Sequence, residues 1–110
     1  MNTKIFSNKQ EKAVARALGG RQVAGSGASV YSLGDVSTDH ILIECKTSVS
    51  EKGSYSVKKE VLDKIRKEAK EMRKFFSALS FNFGPKTENY YVIDEELMRY
   101  LVEKIAEDYK

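Results

Sequence analysis

Asp35, Glu44 and Lys46 are the side chains whose types and spacing suit chemistry on a charged substrate: two acids nine residues apart and a base two residues further on. From Asp39 to Thr47 apolar and other residues alternate. Ile41, Ile43 and Cys45 fall on one side, and Leu42, Glu44 and Lys46 on the other, which is the period of a strand. Glu44 and Lys46 therefore share a face. Upstream, Tyr31, Leu33 and Asp35 alternate in the same way, and the polar connection Ser37-Thr38-Asp39 folds that segment back as a hairpin, which sets Asp35 beside Glu44. Two carboxylates and an ammonium on half-buried strands are costly to desolvate unless a cation or a charged substrate completes the group.

The elements around this hairpin follow from periodicity and caps. A first helix runs from about Asn8 to Leu18, capped by Ser7 or Asn8 and closed by Gly19-Gly20, with Val14 and Leu18 on its apolar stripe. Glu11 lies one turn before Val14, so a carboxylate points toward the body of the protein. Two readings stand side by side: a first-turn acid that favours the helix dipole, or an outer carboxylate of the Asp35/Glu44 group. Arg21 to Ala28 form a Gly-rich loop that no Gly-Lys-Ser/Thr follows, so it is not a nucleotide-binding P-loop. Such a loop lets backbone N–H groups and the Ser26 hydroxyl approach a phosphate, or it is a plain connector.

After Lys46 come a polar loop, a short strand around Tyr55, and a long helix from about Val57 to Phe75 capped by Ser56. Its buried stripe is Val61, Ile65, Ala69 and Met72, and Lys and Arg crowd the remainder as a solvated face. Strands over residues 77–83 and 89–93 precede a final helix capped by Asp94, whose stripe of Leu97, Met98, Leu101, Val102 and Ile105 is expected to cover the sheet.

The ordered set Glu11, Gly25-Ser26-Gly27, Gly34-Asp35-Val36 and Ile43-Glu44-Cys45-Lys46 resembles the PD-(D/E)xK nuclease superfamily, and within it the Holliday junction resolvases of archaeal and phage type. The likeness covers roughly the first half of the chain. It implies an α/β, restriction-endonuclease-like single domain over residues 1–110, with a mixed central sheet flanked by helices. It also implies an Mg²⁺-dependent endonuclease, with Mn²⁺ able to substitute, acting on DNA as a homodimer. On that likeness Asp35, Glu44 and the Cys45 backbone carbonyl hold the metal, Glu11 supports it through water, and Lys46 assists catalysis. Ser26 and Arg21 contact DNA, as do Tyr55, Lys58 and Lys59, which follow the catalytic strand closely. The superfamily's Pro before the Asp is Gly34 here, a mild change if only the carboxylate matters. The alternatives are a structure-nonspecific or nicking nuclease, a non-catalytic DNA-binding module of the same fold, and an unrelated α/β module in which these charges are a surface ion-pair group.

Composition fits one domain with one modest core: 110 residues, 41% apolar and 32% charged. No apolar run suggests a leader or a membrane span, so the expected location is cytoplasmic, without membrane partners. The lone Cys45 is expected to be a buried thiol without a redox role, and the lone His40 to be exposed, which leaves a zinc site or a His-based triad unsupported. The net charge is +3, unevenly spread: residues 58–74 carry eight bases against four acids, and residues 88–110 three against seven. Basic surface away from an acidic end suits a polyanion partner, though Lys and Arg also serve solubility.

Overall fold

The computed structural model describes residues 3–23 and 34–110. Ser26 and the rest of the Gly-rich loop, with Tyr31 and Leu33, lie outside the described residues. Within them the order is α1 (Thr3–Leu18), β1 (Arg21–Gln22), β2 (Val36–Ser37), β3 (Ile41–Lys46), α2 (Lys59–Glu71), β4 (Phe76–Phe81), β5 (Tyr90–Val92) and α3 (Glu95–Asp108). The strands form one mixed sheet in the order β1-β2-β3-β4-β5. All neighbours are antiparallel except β3 and β4, which run parallel with Ile41 opposite Phe76 and Lys46 opposite Phe81. A parallel pair needs a crossover, and α2 supplies it.

Alternation along β3 divides the core between the two faces of the sheet. Ile43, flanked by Ile41 and Cys45, packs with Val36 and Ala78 against Val14 and Ala15 of α1. Leu42 packs against Ile65 and Ala69 of α2, with Val23 and Met72 at the margin. The sides assigned from sequence therefore hold, with Cys45 half-buried and not buried.

Helix ends account for several shifts of boundary. α1 begins earlier than its cap residues suggest and ends as expected: Gly19 adopts φ 67° and the Gly20 N–H donates to the Ala15 carbonyl at 2.8 Å, a Schellman closure. Leu18, the last residue of α1, is exposed although it was expected on the apolar stripe. α2 is shorter than the run of helix formers. Its N-cap is Lys58 without a side-chain cap, and Arg73 turns left-handed at φ 58° while the Lys74 N–H closes onto Ala69. Ser56 does not cap it, and the strand expected around Tyr55 is absent, because residues 47–58 form an irregular connection. β2 is also reduced to Val36 and Ser37, so Asp35 sits just before the strand.

The largest departure is α3. Asp94 caps it as expected, its Oδ1 accepting from the Leu97 N–H at 2.9 Å. Only Leu97 is buried; Met98, Leu101, Val102 and Ile105 remain exposed, and Tyr109 is 84% exposed. The helix extends away from the sheet and does not cover it. Apolar periodicity identified the helix but not its partner.

Candidate functional site

The site begins with β3, the strand with a neighbour on either edge and a helix over each face. Beyond Leu42 its α2-facing side carries Glu44 and then Lys46, whose Nζ stands 3.6 Å from Glu44 Oε2. The Glu44 side chain is only 13% exposed, whereas Lys46 is 46% exposed at the strand's end. Burial first, and then the negative field of Asp35, push the Glu44 carboxyl above its ordinary pKa, against the opposing pull of Lys64 and Lys46.

Asp35 is placed by a local irregularity. Val36 pairs with Ile43, yet the Asp35 N–H also donates to the Ile43 carbonyl at 2.9 Å, so two residues stand against one in the manner of a β-bulge. The bulge aims the Asp35 carboxylate along the strand, where Oδ2 accepts from the Cys45 N–H at 2.8 Å. Asp35 and Glu44 are thus brought together, by a bulge and not by the extended strand that alternation suggested.

Gly34 makes the bulge possible. Its φ is 68°, and a Cβ there would lie 2.7–3.0 Å from the Leu42 side chain. Its N–H donates to Glu68 Oε1 at 2.9 Å. Proline meets none of these conditions: it lacks the N–H and fixes φ near −65°. Glycine at this position is therefore a requirement of this backbone.

Glu11 approaches from α1. Its Oε1 accepts from Gln22 Nε2 at 3.3 Å, and the same amide donates to Asn8 at 2.9 Å. Burial raises the Glu11 pKa, its bond from Gln22 opposes this, and the Asp35 charge adds to the rise. Asp35 therefore lies electrically between Glu11 and Glu44. The Cys45 thiol is held far above its ordinary pKa by burial and by the charges of Asp35, Glu11 and Glu44.

Residues that sequence periodicity missed complete the surroundings. Glu68, on α2, holds Gly34 with one oxygen and meets Lys64 Nζ at 3.2 Å with the other. Burial alone would lower the Lys64 pKa, but its hydrogen bond to Glu68 and the charges of Glu44, Glu68 and Asp35 raise it. Lys64 stands on the solvated face, as expected, and reaches this charge group through Glu68. Glu68 was detectable in principle, since it falls three residues after Ile65 and four before Met72, inside the apolar stripe. Gln10, one residue before Glu11, is buried and donates to the Lys46 carbonyl at 2.8 Å, tying α1 to the end of β3. An amide in a helix gives no such signal.

Among the expected DNA contacts within the described residues, Tyr55 lies in the field of Glu44. It is half-buried, stacks on Phe81 at 4.5 Å, and has its pKa raised by burial and by the charge of Glu44. Lys58 and Lys59 are exposed at the start of α2, where Lys59 pairs with Asp63 at 2.8 Å. Arg21 is exposed on β1 and lines a cleft of about 190 Å³ with Ser37, Thr38 and Asp39. A larger cleft of about 360 Å³ lies between the end of α2 and the start of α3, lined by Arg66, Lys70, Lys74, Phe75 and Asp94, and none of the expected site residues lines it. His40 is exposed as expected, tilted against Phe75 at 5.5 Å.

Among the described residues no group of three His, Cys, Asp or Glu side chains forms a ready-made metal cage. The donor chemistry still suits a hard cation. Asp35 and Glu44 are oxygen donors whose mutual repulsion a divalent ion would relieve, and Mg²⁺ is commonly held by one or two carboxylates with water and phosphate oxygens. No helix among the described residues is long and apolar enough to cross a membrane. Comparison of the chain with models of protein families, with curated proteins and with solved structures gave no match.

Proposed function

We propose that this protein is a metal-dependent DNA endonuclease with a restriction-endonuclease-like fold, and that its substrate is the four-way DNA junction. The observation that carries this reading is the placement of Asp35 and Glu44 within each other's electrostatic field, with Lys46 3.6 Å from Glu44 and Glu11 under the influence of Asp35. A half-buried group in which several carboxylates share one field is suited to a cation and an anionic substrate.

Asp35, Glu44 and the Cys45 carbonyl would hold Mg²⁺ or Mn²⁺, with Glu11 acting through water. The ion would polarise the phosphodiester and lower the pKa of a bound water. Lys46, exposed at the end of β3, is the group available to orient the attacking water and to offset charge that develops on the phosphate oxygens. Water oxygen bonds to phosphorus as the P–O3′ bond breaks, giving a 5′-phosphate and a 3′-hydroxyl. Tyr55, in the field of Glu44, would contact the DNA backbone together with Lys58, Lys59, Arg21 and Ser26. Symmetric cleavage of a junction calls for a two-fold dimer. The exposed apolar stripe of α3 supports that part of the reading.

The test is incubation with an immobile four-way junction and a matched linear duplex, with Mg²⁺ or EDTA, for wild type, Asp35→Asn and Glu44→Gln. Paired nicks on the junction alone, lost with EDTA and in both variants, are expected. Equal cutting of duplex would remove the junction specificity, and no cutting with Mg²⁺ or Mn²⁺ would refute the nuclease.

A further inference from the structure

Glu68 lies outside the four residues that carry the resemblance, and its side chain is only 12% exposed. One of its oxygens receives the Gly34 N–H at 2.9 Å, and the other is anchored by Lys64 at 3.2 Å. The peptide it grips is the one that turns left-handed against Leu42, immediately before the bulge from which Asp35 reaches the Cys45 N–H. A chain of three contacts therefore runs from α2 to the Asp35 carboxylate: Lys64 to Glu68, Glu68 to Gly34, and Asp35 to Cys45.

We infer that Glu68 is a positioning residue for Asp35, holding the Gly34–Asp35 turn so that the carboxylate stays on the edge of β3 beside Glu44. Here a glycine supplies the needed conformation but brings backbone freedom with it, and the Glu68 hydrogen bond removes that freedom. For catalysis the inference rests on the nuclease reading, whereas the positioning itself can be measured without metal or substrate.

The direct reporter is the Cys45 amide, since it donates to Asp35 and not to Glu68. Amide hydrogen exchange of ¹⁵N-labelled protein, without metal, would be compared in wild type, Glu68→Ala and Glu68→Gln, using the Leu79 amide of β4 as a control for global opening. Glu68→Ala should lower protection of both Gly34 and Cys45 by about tenfold or more relative to Leu79, the weight of a hydrogen bond to a charged group. Glu68→Gln keeps a carbonyl acceptor and should restore most of it. Mn²⁺ affinity, followed by electron paramagnetic resonance, should fall with Ala and recover with Gln.

Loss of protection at Gly34 alone, with Cys45 unmoved, would overturn the inference. So would a Gln variant as defective as Ala in Mn²⁺ affinity with normal Cys45 protection, because Glu68 would then act by its charge or as a ligand. Absence of Mn²⁺ binding and cleavage in the wild type itself would refute the nuclease reading, and the Cys45 exchange would still decide whether Glu68 positions Asp35.

Discussion

Glu44 is expected to cost stability once ionised in the metal-free protein, because burial and Asp35 oppose its charged form. Its carboxyl is raised above the ordinary value of 4.5 by burial and by Asp35, so the folded state binds its proton more tightly than the unfolded state does. Stability should therefore fall as pH rises from about the unfolded value of 4.5 through the raised folded value, the reverse of a salt-bridged acid. Glu44→Gln removes the penalty. Its denaturation midpoint in EDTA at pH 7 should exceed that of wild type, with the difference vanishing at low pH; chemical denaturation across pH checks this. These side chains were recognisable from their types and spacing. The bulge at Asp35 and the bond from Gly34 to Glu68 were not, because each depends on a φ angle and a tertiary neighbour that alternation does not encode.

At the level of elements, boundaries moved where caps and tertiary contacts override propensity. The Lys/Arg-rich run through Phe75 favours helix, yet α2 stops at Glu71 because Arg73 turns back toward β4. α3 was legible as a helix from its Asp94 cap and apolar period, but a period states which face is apolar and not what meets it. Leu97 and Ile105 make the contrast measurable. Leu97 is 5% exposed at the foot of the helix and Ile105 is 56% exposed two turns further on. Leu97→Ala should destabilise by about 2–3 kcal/mol, the usual cost of emptying a core position. Ile105→Ala should stay within about 0.5 kcal/mol in dilute protein. Urea denaturation of both variants checks the pair.

The whole molecule is an α/β layer structure in which one sheet separates two helices. The mixed sheet with flanking helices was what the resemblance implied, and the described residues form such a five-stranded sheet with α1 and α2 on its two faces; the covering role of α3 did not survive. The strand order places β3 inside the sheet, with Glu44 and Lys46 on it, so the residues proposed for chemistry sit on the segment with most support. The basic run of residues 58–74 also takes a definite place: part of it, through Lys64, joins the charge group, while Arg66 pairs with Asp94 at 3.2 Å at the base of α3.

The parallel pairing of β3 with β4 also sets an order of events when the chain folds. The Asp35–Cys45 bond closes over a separation of 10 residues, and the Gly34–Glu68 bond over 34. Loop-closure entropy makes the second contact about 1 kcal/mol more costly to form from an open chain. Contacts of short range form early, and the crossover through α2 follows. On these separations the acidic hairpin is expected to form before α2 docks, and a nascent chain that has not yet emerged beyond α2 would carry both carboxylates without the Gly34 to Glu68 bond.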